Sequence, residues 1–329
     1  HMSARRQRQM CIRDSISIEP PKKGKNLRLS IDLELQKKLF YDFKGRKGAL
    51  VAIEPKTGLI RALISSPTYD PNLLNTINDY DEVRNLFSDQ NSPLFNRALS
   101  GQYPPASTLK PFVGMAALEA KTISWEKEIL DSGEYLVEGD ERPYRGWKEG
   151  GHGKVDMNKA IIESSDVYFY SLAYDLTVSN LSPFLEKFGF GEQSGLTIRE
   201  GTGILPSRKW KLGYKGESWF KGDTINMGIG QGYITATPLQ IAVAYSALAN
   251  KGELVQPRII EKIGEENTET VIKKNISLID DLNWKRIEKS LLGVVEASNG
   301  TANNIYDRNI RIAGKTGTAQ VKSLSLIHI

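Results

Sequence analysis

A chain of 329 residues is long enough for one large domain or two ordinary ones. Its 40% apolar and 25% charged residues are those of a globular fold, which excludes a disordered or fibrous chain. The formal charge of +5 is unevenly spread: Arg5, Arg6, Arg8 and Arg13 against Asp14 place +3 in the first fifteen residues, leaving +2 for the rest, so there is no case for nucleic acid as a partner. The residues hold no run of 18 apolar positions and hence no membrane span. No signal peptide is present, and targeting does not reveal the compartment. The single cysteine, Cys11, excludes an intrachain disulfide and argues against cysteine catalysis.

Both ends read as foreign to the fold. Residues 1–15 begin with His1-Met2, which resembles a cloning scar, and residues 323–329 form an abrupt apolar tail, so the domain is expected over 16–322. Leu27 to Asp32 alternates in polarity and leads into helical spacing over Leu33 to Phe43. Gly48 to Glu54 and Leu59 to Ser65 are two β-type runs joined by Pro55-Lys56-Thr57-Gly58, a hairpin signal. Pro67 to Pro93, rich in Asn, Asp and Pro, reads as a long surface excursion. A helix is expected over Phe112 to Leu118, then a loop from Gly133 to Gly153 that holds Tyr135, Tyr144 and Trp147. Helical spacing resumes at Asp156 and runs to Tyr174 with a break at Ser164-Ser165, and Pro183 to Phe188 is a further short helix. Gly201 to Gly222 reads as an aromatic, lysine-bearing loop. The cluster Gly228 to Gly232 precedes a strong helix over Thr237 to Asn250 that Gly252 ends. A charged hairpin-like region (Leu254 to Leu278), a helix from Asn283 to Ala297 and a short β run over Arg311 to Ala313 complete the chain, with no internal repeat. The mixture predicts an α+β domain.

Three segments carry candidate chemistry. In Ser107-Thr108-Leu109-Lys110 a hydroxyl precedes an amine by one helical or 3₁₀ turn, so both can share a face at the positive end of a helix. A serine becomes a nucleophile when a base lies within reach, and a neutral lysine can be that base. Taken alone, Ser107 reads as a helix-start residue and Lys110 as a lysine on a solvated face. Ser164-Ser165-Asp166 sits between two helical stretches, where it is either a cap or a polar turn facing Ser107 and Lys110. Lys315-Thr316-Gly317-Thr318 is either an edge turn with an incidental lysine or a segment that offers a cation, two hydroxyls and close backbone approach to an anion.

In this order, S-x-x-K, then S-x-D, then K-T-G is the combination of the penicillin-recognising serine enzymes. The similarity extends to Asn96-Arg97-Ala98, Tyr103 to Lys110, Gly151-His152-Gly153, Ser164 to Tyr170, Gly228 to Gly232, Thr237 to Gln240 and Lys315 to Gln320. These stretches resemble the transpeptidase domain of class B penicillin-binding proteins. Asp166 with the Tyr-Phe-Tyr after Val167 is most similar to the penicillin-binding protein 2 branch, which serves cell elongation. The resemblance implies the penicillin-binding-protein/serine β-lactamase-like fold: an antiparallel sheet flanked by helices, plus an all-helical subdomain.

It also implies roles. Ser107 would attack the carbonyl between two terminal D-alanines of a peptidoglycan stem peptide, and an amine from a second stem peptide would resolve the acyl-enzyme into a cross-link. Lys110 would be the base, its proton affinity lowered by the nearby Lys315. Ser164 would relay a proton to the departing nitrogen, and Asp166 would hold Lys110 in register. Lys315, Thr316 and Thr318 would bind the terminal carboxylate, with Gly317 allowing close approach. The N–H groups of Ser107 and Thr318 would form the oxyanion hole. β-Lactams would acylate Ser107. No cofactor is implied.

The implied partners are a RodA-like SEDS glycosyltransferase and MreC-like elongation proteins, with the full-length protein anchored at the periplasmic face of the inner membrane. Some relatives hold zinc through two Asp, the His of Gly-His-Gly and a Cys in the second motif. The matching positions here are Asp131, Gly146, His152 and Ser165, two of them replaced, which implies no metal and a structural role for His152. In this fold two strands and a helix normally follow the K-T-G strand. The residues after Gln320 do not match them, so the domain reads as incomplete there, with lower stability and activity expected. The rival readings are a division-type transpeptidase, a carboxypeptidase or β-lactamase, and a β-lactam sensor or inactive scaffold.

Overall fold

A computed structural model describes residues 22–75, 80–137, 139 and 142–319. The arm over 1–15, the tail over 323–329 and Gln320 lie outside the described residues. In chain order the first elements are β1 (Leu27–Leu29), α1 (Leu33–Asp42), β2 (Gly48–Ile53) and β3 (Ile60–Ser66). Then come α2 (Tyr80–Ser88), a 3₁₀ turn (Ala106–Leu109) running into α3 (Lys110–Glu119), β4 (Ile129–Asp131), β5 (Glu134–Tyr135), β6 (Tyr144–Arg145) and β7 (Gly153–Val155). The helices α4 (Met157–Ile162), α5 (Asp166–Lys187), α6 (Arg208–Lys215), α7 (Lys221–Gly228) and α8 (Pro238–Ala249) follow. β8 (Glu253–Val255), β9 (Ile260–Ile263), β10 (Glu266–Asn267), β11 (Ile272–Asn275) and α9 (Leu282–Glu296) complete the set.

The α+β class stands as expected. Antiparallel pairing is divided among five small sheets of the described residues: β1-β9-β10, β2-β3, β4-β7, β5-β6 and β8-β11. The β2–β3 hairpin forms where Pro55 to Gly58 predicted it, and β3 buries alternate residues, so one face meets the core. Caps explain the helix starts. Asp32 accepts from the Leu35 N–H, and Thr237 and Gln240 form a reciprocal capping box ahead of α8, with Pro238 in the first turn.

Four expectations need correction. Gly201 to Gly222 contains α6 and the start of α7. Ser207 caps Trp210 N and Gly216 closes the helix at φ 70°, two ordinary boundary signals that the aromatic composition masked. The excursion from Pro67 to Pro93 carries a 3₁₀ turn at Pro71–Leu74 and α2. The helix at Pro183 is the second half of α5, joined through a non-helical Thr177. Arg311 to Ala313 is not a strand: it has no pairing neighbour among the described residues, and Gly314 N–H binds the Leu291 carbonyl at 3.0 Å instead.

The core is helical, and α3 lies at its centre with every residue from Lys110 to Ala117 buried. α5 packs against both α3 and α7. Phe112 meets Phe188, Phe190 and Tyr245 edge-on at 5.0, 5.5 and 5.3 Å, and such pairs add about 0.5–1.5 kcal/mol each beyond area burial. Tyr245 also donates its hydroxyl to the Thr108 carbonyl at 2.8 Å, tying α8 to the turn that bears Ser107. On the other side of that turn, Ala106 N–H binds the Gly230 carbonyl at 2.8 Å. Gly230 has φ +71°, and a Cβ there would overlap the Ala106 backbone. The glycine cluster is therefore a backing plate for the Ser107 turn. Gly230→Ala should lower stability by about 2–3 kcal/mol, read as a drop in thermal midpoint, because both the φ angle and the space are wrong for a side chain.

Candidate active site

A cavity of about 710 Å³ opens where the three segments meet, with Ser107, Ser164, Asp166, Thr316 and Thr318 in its wall. Lys110 is fully buried and meets the cavity through two of its wall residues, Ser164 and Asp166. The Lys110 Nζ donates to Asp166 Oδ1 at 2.6 Å, to the Ser164 carbonyl at 2.8 Å and to Ser164 Oγ at 3.2 Å. From the opposite side Lys315 Nζ donates to the same Ser164 Oγ at 2.8 Å. One hydroxyl thus bridges two amines, and residues 107, 110, 164, 166 and 315 share one site. Among the described residues Ser107 Oγ makes no hydrogen bond. The expected Ser107–Lys110 contact is absent because all three Lys110 donors are directed to Ser164 and Asp166.

The second motif resolves into two jobs. Ser165 is the cap: its Oγ accepts from Tyr168 N at 3.2 Å and donates to Asp131 Oδ2 at 2.6 Å. Ser164 and Asp166, on either side, turn toward the lysines. To do so Ser164 adopts φ 57°, a left-handed conformation that costs a non-glycine residue energy and persists only where neighbours hold it. Trp147 is one such neighbour. Its indole N–H donates to the Ser164 carbonyl at 3.0 Å and its backbone N–H to Asp166 Oδ2 at 2.9 Å. The sequence showed Trp147 only as an aromatic residue in a loop. Its target is a backbone carbonyl, so no side-chain motif could have marked it.

The K-T-G segment is held by side chains. Thr316 Oγ1 meets Thr301 Oγ1 at 2.7 Å, a support that sequence reasoning missed. Gly317 lies against the Ser107 turn, where a Cβ would sit 2.9 Å from Thr108 Cγ2 and 3.3 Å from the Pro105 carbonyl oxygen. The N–H of Thr318 has no partner among the described residues. That of Ser107 lies in the first turn of a 3₁₀ helix, where amides lack an intrahelical acceptor.

Burial pushes the Lys110 ammonium below its ordinary value, opposed by the Asp166 and Asp131 carboxylates. The expectation that Lys315 supplies this depression is corrected: desolvation does. Lys315 itself is pushed down to about 7, first by burial and then by the charge on Lys110, with Asp166 opposing.

Three of the four positions matched to a zinc site, Asp131, His152 and Ser165, form a hydrogen-bond cluster. Burial pushes the Asp131 carboxyl up, but Ser165, Gly133 N–H and His152 together hold it below the usual range. His152 Nδ1 is 2.7 Å from Asp131 Oδ2, and its buried Nε2 has Glu163 Oε2 at 4.0 Å. Gly146 offers no side chain and the Ser165 hydroxyl is already engaged, so this donor set does not fit zinc.

Residues 48–326 match the family described as the penicillin binding protein transpeptidase domain. The chain belongs to that family. It is 40% identical over 311 residues to the peptidoglycan D,D-transpeptidase MrdA of Haemophilus influenzae and 37% identical to that of Escherichia coli K12, covering 93% of this chain in each case. It spans 48% and 49% of those two proteins, about half the length of the curated relatives it matches. Among solved structures, Pseudomonas aeruginosa PBP2 in complex with WCK 5153 superposes with a TM-score of 0.87 at 39% identity, covering 91% of this chain and 68% of that one. Helicobacter pylori PBP2 in a complex with MreC gives 0.83 at 32%, covering 90% and 54%.

The Lys315 shift has a stability consequence in this transpeptidase domain. Its folded pKa lies near 7 against an ordinary 10.5, so between those values the unfolded chain binds more protons. Unfolding free energy should therefore rise with pH from about 7 upward. Urea titrations across this window should show a shallower rise for Lys315→Met than for the parent.

Proposed function

We propose that the chain is the catalytic domain of a peptidoglycan D,D-transpeptidase of the cell-elongation type, cross-linking stem peptides through a Ser107 acyl-enzyme. The observation that carries this reading is Ser164 Oγ, held between Lys110 and Lys315 at 3.2 and 2.8 Å beside a cavity walled by Ser107. The names of the MrdA relatives support the elongation assignment over the division-type rival.

The two lysines share protons as a pair. Above pH 7 Lys315 is neutral and Lys110, beside Asp166, keeps the remaining proton. Arrival of the substrate's terminal carboxylate at Lys315, Thr316 and Thr318 favours a cation at Lys315. Lys110 then gives a proton to Ser164 Oγ as the Ser164 proton passes to Lys315 Nζ. Lys110, now neutral, takes the Ser107 proton while Oγ attacks the peptide carbonyl. The N–H groups of Ser107 and Thr318 receive the oxyanion, and losing one such donor typically costs about a hundred- to a thousandfold. The C–N bond breaks, and the proton on Lys110 returns through Ser164 to the leaving D-alanine nitrogen. An acceptor amine then attacks the ester carbonyl, the bond to Ser107 Oγ breaks, and the amine proton goes back to that oxygen.

A β-lactam presents a carboxylate and a strained amide in the same relation, so it acylates Ser107. The working partners of this reading are an MreC-like protein, as in the Helicobacter pylori complex, and a RodA-like glycosyltransferase. Its place is the periplasmic face of the inner membrane. Among the described residues no helix is long and apolar enough to cross a membrane.

Intact-mass analysis after benzylpenicillin treatment should show one adduct on the parent and none on Ser107→Ala; an adduct persisting in the variant would overturn the assignment. The second-order acylation rate should rise through about pH 7 as Lys315 loses its proton. In Lys315→Arg, whose guanidinium stays charged, the proton can leave only from Lys110, so the rising limb should move to higher pH.

A further inference from the structure

Most polar side chains in the wall of the Ser107 cavity already have partners. Ser164 and Asp166 are engaged by the lysines, and Thr316 pairs with Thr301. Trp147 gives its indole N–H to the Ser164 carbonyl, Tyr170 its hydroxyl to the Arg145 carbonyl at 3.1 Å, and Arg145 its Nε–H to Glu134 Oε1 at 3.2 Å. The polar lining residues whose side chains make no hydrogen bond among the described residues are Ser107, Thr318, Asn226 and Gln231. The first two belong to the acylation step. The other two are primary amides with no role in it.

Both amides are half-buried and both sit where α7 ends. The Asn226 carbonyl accepts from Ile229 N–H at 3.3 Å and from Gln231 N–H at 2.9 Å, so one turn ties the two residues together. Gly232 closes against them, where a Cβ would lie 3.3 Å from Asn226 Cβ. The same turn is bonded to the nucleophile's own turn, Ala106 N–H to the Gly230 carbonyl at 2.8 Å. Gln231 and Ser107 are each the next residue along from that bond. The amides are therefore fixed relative to the attacking oxygen by backbone hydrogen bonds, and a ligand meets them with little left to order. A primary amide offers two donors and an acceptor and no charge, which matches the N–H and C=O of a peptide unit better than an ion.

We infer that Asn226 and Gln231 bind the main chain of the donor stem peptide upstream of its two terminal D-alanines. The inference rests on the transpeptidase reading. In that reading the donor's carboxylate is held by Lys315, Thr316 and Thr318 and its scissile carbonyl lies at Ser107, so the chain continues toward its N-terminus away from the carboxylate seat. The K-T-G segment meets the nucleophile's turn at Pro105 and Thr108, whereas the α7 turn meets it at Ala106. An extended residue spans about 3.3 Å, which leaves room in the cavity for about two or three beyond the reacting carbonyl. The D-Ala-D-Ala end and the rest of the stem are then recognised by different residues, and the α7 amides favour a stem peptide over a bare dipeptide.

The test uses the full-length protein and donors ending in D-Ala-D-Ala: the N-acetylated dipeptide, and peptides lengthened at the N-terminal end by one, two and three residues. D-Alanine release gives kcat/KM for each, and the readout is the ratio of each longer donor to the dipeptide. In the parent this ratio should grow with length. Asn226→Leu and Gln231→Met keep side-chain volume and remove the hydrogen bonds. Each should lower the ratio for the longest donor about fivefold, through KM, in line with loss of one neutral hydrogen bond. Alanine variants at the two positions provide the same ratio should an isostere fail to fold. A ratio that does not grow in the parent, or that either variant leaves at the parent value because all donors are impaired alike or not at all, overturns the inference and leaves the transpeptidase intact. A parent that releases no D-alanine and forms no penicillin adduct overturns the underlying reading instead.

Discussion

A buried ammonium is the constraint around which this domain is built. Lys110 sits in the first turn of a helix whose neighbours are almost all apolar, where an unpaired charge would cost several kcal/mol. It is tolerated because Asp166 and two oxygens of Ser164 take its three donors, with the Phe169 ring 5.5 Å from the nitrogen. The compensation is incomplete, and the lysine's proton is held less firmly than in water. That incomplete compensation makes a group that is ordinarily inert available for proton transfer.

Much of the surrounding architecture serves to keep the compensating turn in place. Ser164 holds a left-handed conformation that its own side chain does not favour. Ser165 anchors the turn to α5 and to Asp131, Asp131 is in turn fixed by His152 and Gly133, and Trp147 grips Ser164 and Asp166 from outside. On the nucleophile side, Tyr245 and Gly230 press the Ser107 turn from two directions. The cavity is therefore set by rigid elements, and hydrogen bonds to backbone carbonyls matter as much as those between functional side chains. The K-T-G segment is placed differently: no ladder supports it among the described residues, and Thr301, Ser164 and the close seat of Gly317 locate it.

Much of this was legible beforehand. The helix carrying Phe112, the hairpin at Pro55 to Gly58, the break at Ser164-Ser165 and the capped helix after Thr237 follow from periodicity and boundary residues, which act over a few positions of chain. α6 carries equally local signals in Ser207 and Gly216, but its aromatic and lysine residues obscure a short amphipathic pattern. Arg311 to Ala313 failed for a different reason. A strand is defined by its neighbour, and no local pattern supplies one.

Residue types and their order along the chain determined which chemistry was available: a hydroxyl one turn before an amine, a polar turn, and a second amine beside two threonines. Only the tertiary structure decided how they are coupled. It placed Ser164 Oγ between both lysines, gave Asp166 to Lys110, made burial the cause of the depressed proton affinity, and recruited Trp147 and Thr301 as supports. Pairing and desolvation depend on the distances between groups and on how much water reaches them. Those are properties of packing among residues far apart in the chain, and spacing along the chain does not contain them.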